Sequence, residues 1–532
     1  MDMEKNPQNQ QASWQSYCAP KPLFSLQKRD IWFSVFAVVV CVLTAIYGIF
    51  GGFALGYTIT SVFMLCLFIG YFAKNGKLTL FSVACGVLAF ANGAVFLCTT
   101  NTSVRLFGVA MGLCLSLACL DGFVMGRIKG NGATMGLFYR AMATVEHIDI
   151  AVKSLFSDRQ GNKKIIGKVL VGLLCAVPVL LVVIPLLRAS DDAFRGMVDR
   201  MFEHTGETIF KALFGVILSV FAVTYGFSLK KGRIAPEKSS KFAGIEDVYL
   251  VSFLSAICLC YLLYLFSQLA YFFSAFKGFL PDGEITYAQY ARKGFFEMCV
   301  IAVINFALVS VTMLLAKKKA GKACLFIRLP ATFVSMFTLL IIATAISKMV
   351  LYINEYGMTV RRVTTSAFMV FLAVVFISVI LRIYIRRINI VKTALLTAGC
   401  VVLLLGTVNV NRVCAEYNYE SYITGKHKAV DIEALYDLGE EGIPYIVKLA
   451  TDSDASVKNT AKQYLAKAYL RDYFEGVEEL QSFTVEDLQK RETDGKVSQL
   501  NLPKIEAYDS LYGYLRENPQ FAKQSRQYLV EE

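Results

Sequence analysis

Runs of roughly 20 apolar residues recur from Ile31 to Asn411. Each is long enough to cross the ~30 Å hydrocarbon core of a bilayer as a helix. Eleven spans can be drawn, at about 31–50, 53–73, 78–98, 104–120, 167–187, 209–229, 249–272, 295–315, 326–347, 366–386 and 390–411. The whole composition agrees. Hydrophobic residues make up 56% of the 532 and charged ones 18%, against about 25% in an ordinary soluble domain. That balance excludes a disordered chain and weighs against a soluble enzyme. The first run is too long for the apolar region of a signal peptide and lacks a small-residue cleavage site, so it is expected to stay as an anchor.

The net charge of +13 is divided unevenly. Residues 1–411 hold 39 Lys/Arg against 19 Asp/Glu, and residues 412–532 hold 15 against 22. The basic excess lies between apolar runs, where it sets orientation and gives no reason to expect nucleic acid. With a cytoplasmic N-terminus, the inner segments carry 28 Lys/Arg and the outer ones 11. Eleven spans then place the C-terminal region outside the cytoplasm, and an error of one span would move it inside. Arg361 and Arg362 lie outside in this arrangement, against the trend.

The expected fold is all-α: a polytopic α-helical membrane bundle of about eleven spans with a small C-terminal helical soluble domain. Residues 1–30 form a polar cytoplasmic tail, 31–120 a four-span region, 121–166 an inner segment, 167–411 a seven-span region and 412–532 the extracytoplasmic domain. In the inner segment, Phe138, Met142, Val145, Ile148, Val152 and Leu155 fall on one helical face, which predicts an interfacial helix. His147 has no second histidine or cysteine nearby and reads as a surface residue. Gly48, Gly52 and Gly56 fall where the first span turns into the second and predict a tight turn.

Three polar groups stand out. Asp191, Asp192, Arg195 and Asp199 share an outer segment with an apolar stripe through Phe194, Met197 and Val198. This predicts a short surface helix; contact with a cation or headgroup is its functional reading, and a solvated helix face is the favoured one because exposed ion pairs are usually weak. Thr286 and Gln289 form a capping-box pattern from which a helix runs directly into the eighth span. Gln268, Arg292 and Glu297 then lie at similar depth. They form either a binding site beneath the outer surface or a clamp between two helices, and the clamp is favoured because interhelical polar contacts commonly join membrane helices. Asn92 and Asn305 fall near span centres, where no Asp, Glu, Lys, Arg or His is found. That weighs against ion-coupled transport through a buried carboxylate.

Several blocks resemble a known family. They are Pro185–Phe194, then Tyr261–Phe272 followed by Tyr290–Glu297, then Asn411, Ala415 and Asn418 with Asp431–Leu435 and Ile443-Pro444. Together they resemble an uncharacterised bacterial membrane family, domain of unknown function 4173, which has a relative numbered 4153. The resemblance covers about 165–470 and does not reach the N-terminal spans. Lys293 stands where a second arginine is expected. The family implies an integral membrane protein and supplies no activity or catalytic residues.

In the C-terminal region, Asp431–Leu438, Gly442–Ala450 and Ala455–Tyr473 read as helices, with Pro444 well placed in a first turn. The last two resemble one HEAT-like pair. Since one pair cannot form a solenoid, the helix through Ile505, Tyr508, Leu511, Tyr512 and Leu515 is expected to complete the core. The domain suits protein contact or a passive cap over the bundle. No Walker loop, dinucleotide glycine pattern or His-Glu-x-x-His motif occurs, and nearly all fourteen cysteines sit in apolar runs. No catalytic residue, cofactor or metal site is expected. The leading expectation is a non-enzymatic scaffold or sensor of the bacterial cell envelope, in the plasma membrane, in contact with lipid and with a protein partner at the C-terminal domain. The alternative is a transporter or flippase of a lipid or apolar solute.

Overall fold

The computed structural model describes residues 27–74, 76–125, 206–231, 245–277, 287–317, 324–385, 387–474 and 501–524, with residue 183. Among these, the named elements are all helices, joined by short connections, with one isolated bridge between Ile245 and Ala316. Among the described residues ten helices are long and apolar enough to cross a membrane, and they coincide with ten of the eleven expected spans. The expected fifth span, the inner-segment helix with His147, and the surface helix with Asp191, Asp192, Arg195 and Asp199 lie outside the described residues, Val183 apart.

The membrane helices are α1 (Lys28–Leu43), α2 (Leu55–Phe72), α3 (Leu80–Ala91), α4 (Val95–Cys98), α5 (Thr102–Met125), α6 (Glu207–Lys231), α7 (Asp247–Lys277), α8 (Tyr287–Leu315), α9 (Leu325–Tyr356), α10 (Val360–Tyr384) and α11 (Ile390–Thr407). Their outward faces are apolar. Val303 and Phe266 are 70% and 71% exposed, a state that lipid tolerates and water does not. This is a multi-pass membrane protein. The chain forms two compact units. One comprises Met1–Leu43, Leu67–Tyr71 and Tyr139–Arg233, and the other Thr44–Cys66, Phe72–Phe138 and Ile234–Glu532.

Boundaries differ from the sequence reading in three places. Helix α1 begins at Lys28, so Asp30 belongs to it and not to a polar tail. Helix α9 runs 32 residues to Tyr356 and α10 starts at Val360, where the charged residues of the sequence suggest a loop over 348–365. The helix instead stops where Gly357 takes φ 79°, a conformation that suits glycine. The last span ends at Thr407 and not at 411, because Asn409 takes the left-handed φ of 57° and its side chain caps a new helix by accepting from the Arg412 N–H.

The α1–α2 connection is the expected tight turn. A π-helical turn (Thr44–Ile49) ends α1, and Gly52 has φ 84°. A Cβ at Gly51 or Gly56 would collide with the Tyr47 carbonyl oxygen. Helix α3 carries a reciprocal capping box between Thr79 and Ser82, and a 3-10 turn at Asn92–Ala94 separates it from α4.

The C-terminal helices are α12 (Val410–Ile423), α13 (Ile432–Tyr436), α14 (Ile443–Leu449), α15 (Ala455–Phe474), α16 (Leu502–Glu517) and α17 (Pro519–Gln524). They enclose one core. Leu435, Ile446, Leu449, Leu465 and Leu515 are fully buried, Leu511 nearly so, and Ala415 of α12 joins them. Each such leucine contributes about 1.5–3 kcal/mol through burial. Of the residues expected to complete the core, helix α16 supplies Leu511, Tyr512 and Leu515, with Tyr508 packed against them, and Ile505 is not part of the buried cluster.

Candidate functional site

The residue that ties this domain to the membrane helices is Glu441, 4% exposed. It sits in the short turn Gly439–Glu441, between α13 and α14. Its Oε1 accepts from the Thr100 N–H at 2.8 Å and from Asn409 Nδ2 at 3.1 Å. Its Oε2 accepts from Thr100 Oγ1 at 2.5 Å and from Asn411 Nδ2 at 3.5 Å. Asn411 Nδ2 also donates to the Leu438 carbonyl at 2.8 Å, while its Oδ1 accepts from Asn101 Nδ2 at 2.8 Å. Thr100 and Asn101 form the α4–α5 connection. Arg105 braces that connection from below: its Nε donates to the Thr99 carbonyl and its Nη1 to the Gly52 carbonyl in the α1–α2 turn. A buried carboxylate served by four donors is well satisfied.

A second clasp holds the α9–α10 hairpin. Asn418 Oδ1 accepts from the Met358 N–H and its Nδ2 donates to the Met358 carbonyl, both at 2.8 Å. Arg362 Nη1 donates to the Tyr356 carbonyl, and its guanidinium lies 3.9 Å from the Tyr352 ring centroid. His427 Nε2 lies 3.1 Å from the Asn354 carbonyl. The domain is therefore attached to the tips of two membrane hairpins.

A cavity of about 430 Å³ opens beside Glu441, between the end of α11, α12, α14 and the start of α16. Glu416, Glu440, Glu441 and Glu506 line it with Arg412, whose Nη1 pairs with Glu506 at 3.0 Å. Tyr445, also in its wall, has its hydroxyl pushed up chiefly by burial and further by Glu416, with Arg412 opposing.

The polar residues expected from sequence have varied fates. Asn305 is fully buried; its Oδ1 accepts from the Tyr261 hydroxyl at 2.6 Å and its Nδ2 donates to Thr338 Oγ1 at 2.9 Å. It thus joins α7, α8 and α9. Asn92 Nδ2 donates to the Gly108 carbonyl at 2.7 Å, while its Oδ1 is buried without a hydrogen-bond partner among the described residues. Arg292 and Glu297 are exposed on α8, the Lys348 side chain packs against Gly294 between them, and the Gln268 side chain lies outside the described residues.

The sequence reading misses Asp30, which is fully buried. Lys230 Nζ donates to both of its oxygens at 2.7 Å and the Tyr71 hydroxyl to Oδ1 at 2.6 Å. Phe33 stacks on Tyr71 at 4.1 Å. This joins α1, α2 and α6. Among the described residues no group of three His, Cys, Asp or Glu is placed to hold a metal ion.

A family model described as a domain of unknown function (DUF4153) matches residues 59–449, roughly three-quarters of the chain. The chain belongs to the DUF4153 family. This is the relative of the family suggested by the sequence blocks, and the DUF4153 match also takes in the second to fourth spans, which those blocks do not reach. It contains Thr100, Asn101, Asn409, Asn411, Asn418 and Glu441, so both clasps lie inside the DUF4153 segment, whereas α15, α16 and α17 lie beyond it. No curated protein and no solved structure matches this DUF4153 chain.

Proposed function

We propose that this DUF4153 protein is a non-enzymatic scaffold or sensor of a bacterial plasma membrane, with its C-terminal helical domain on the extracytoplasmic side. The observation that carries the reading is the Glu441 tie. A domain bound through a buried carboxylate to the α4–α5 connection, and through Asn418 to the α9–α10 hairpin, can pass a contact on its surface to the helices beneath. Orientation rests on the connections. Those at the domain end, 50–54, 99–101 and 357–359, contain no Lys or Arg, whereas Lys74, Lys77, Lys317 and Arg387 stand in the connections at the opposite end, and the sequence between the same helices adds Lys318, Lys319, Lys322 and Arg386. Basic connections stay in the cytoplasm. Asn305 weighs against the transport alternative, because Tyr261 and Thr338 engage both ends of its amide.

Two measurements test this. The purified chain in liposomes should move fluorescent phospholipid no faster than empty liposomes do; faster movement would establish the flippase alternative. A cysteine placed at exposed Ser453 or Ser456 should react with a membrane-impermeant maleimide in intact cells. Reaction only after permeabilisation would put the domain in the cytoplasm.

A further inference from the structure

The cavity beside Glu441 is two-faced. On one side are Val408 and Leu502, 57% and 61% exposed. Val408 is the first residue past the span that ends at Thr407, so this lip lies at the level where hydrocarbon gives way to headgroups. Leu502, at the start of α16, lines the same cavity. On the other side are carboxylates. Glu441 is engaged by Thr100 and two asparagines, and Glu506 is paired with Arg412. Glu416 and Glu440 also line the space, Glu416 exposed and Glu440 half-buried, with Glu440 within electrostatic reach of Arg105. A volume of about 430 Å³ falls in the size range of small-molecule sites. An apolar lip at the membrane surface, beneath a wall of negative charge, fits an amphiphile whose polar end is a cation.

We propose that this cavity binds the ammonium-bearing headgroup of a membrane lipid, with the ammonium between Glu416 and Glu440 and the glycerol end against Val408 and Leu502. An anionic headgroup would meet those carboxylates and be repelled. The proposal deepens the sensor reading by naming its input. The liposome assay above tests that reading, whereas binding is read on the purified protein itself, so the two can fail separately.

The test is thermal unfolding of the full chain in detergent with three probes: dioctanoyl phosphatidylethanolamine, dioctanoyl phosphatidylglycerol and free ethanolamine. The expected result is a rise in Tm of about 3 °C with the ethanolamine lipid well above its Kd, and no rise with the other two. The double variant Glu416→Gln/Glu440→Gln should lose the rise. Glu433→Gln, an exposed acid on α13 that does not line the cavity, should keep it. Equal rises with both lipids, a rise that survives the double variant, or no rise at all would overturn the proposal. A full effect from free ethanolamine would overturn its lipid part, making the ligand a soluble amine. If the double variant fails to fold, Leu502→Gln is the second probe, expected to weaken lipid binding at least threefold.

Discussion

Glu441 holds Thr100 across 341 residues of chain, taking its main-chain N–H on one carboxylate oxygen at 2.8 Å and its hydroxyl on the other at 2.5 Å. Side chain and backbone of one loop residue are thus gripped by one carboxylate. Three of the four groups that reach it, the Thr100 N–H and the Asn409 and Asn411 amides, can only donate, and each oxygen receives at least one of them, so an NH₂ group at either position would face an N–H.

Glu441→Gln should therefore destabilise, although it removes only a charge. The new amide faces donors on either oxygen position, and the cost expected is about 1–3 kcal/mol. Thr100→Val, which keeps the main-chain bond, should cost less. Limited trypsinolysis would show faster cutting at Lys426 and Lys428 in Glu441→Gln than in wild type; equal rates would mean that the tie does not secure the domain.

Lys230→Met should be among the most damaging single changes in the membrane region. It leaves the fully buried Asp30 without its cation, a loss of about 3–5 kcal/mol. Adding Asp30→Leu should recover part of that loss. A double-mutant cycle of detergent melting temperatures measures it, and strict additivity would contradict the pairing.

Tyr261→Phe removes one hydrogen bond to Asn305 and keeps the ring stack on Phe337, whose centroid is 4.1 Å away. The expected cost is small, about 0.5–1.5 kcal/mol, as for other interhelical bonds in membranes. Lipid movement in liposomes should be unchanged. Appearance of flux in this variant would make the Asn305 junction a gate.

Gly357→Ala combines two penalties. Alanine is strained at φ 79°, and its Cβ would sit 2.8 Å from Asn418 Oδ1, the atom that receives the Met358 N–H. A cost of about 1–3 kcal/mol is expected, read as a drop in Tm, whereas Gly425→Ala, with open space around it, should be milder.

Cys414 is fully buried in α12, and burial pushes its thiol up to about 12. At pH 8 it stays protonated, and the thiolate is the reactive form. Iodoacetamide should modify it after denaturation and not before. Raising the pH to 9.5 in the native state should add little labelling at this residue, which peptide mass mapping would show.

Span positions are legible in the sequence because twenty apolar residues in a row leave few alternatives. Element ends are less so. The stop of α9 depends on Gly357 adopting positive φ, and the charged residues before it look like a loop. Asn409 ends a span by a backbone conformation that asparagine visits and that its sequence neighbours do not announce. The pairing of Asp30 with Lys230 is illegible because the partners are 200 residues apart, and each alone looks like an ordinary charge at a membrane boundary. Glu441 sits in Gly439-Glu440-Glu441-Gly442, which reads as a solvated turn. Asn411, Ala415 and Asn418 stand out only through family resemblance, and the structure gives that block physical content: two asparagines that clasp and a small residue that lets α12 pack. Asn305 is recognisable by its depth, and its partners come only with the fold.

The Asn418 clasp touches Met358 solely through its main chain. Nineteen of the twenty amino acids offer the same N–H and carbonyl, so the hairpin tip can change its side chain without loosening its hold. Proline, which lacks the N–H, is the exception. The tether is indifferent to the side chain at residue 358, so this half-buried position can change without loss of the two hydrogen bonds that hold the domain to the hairpin.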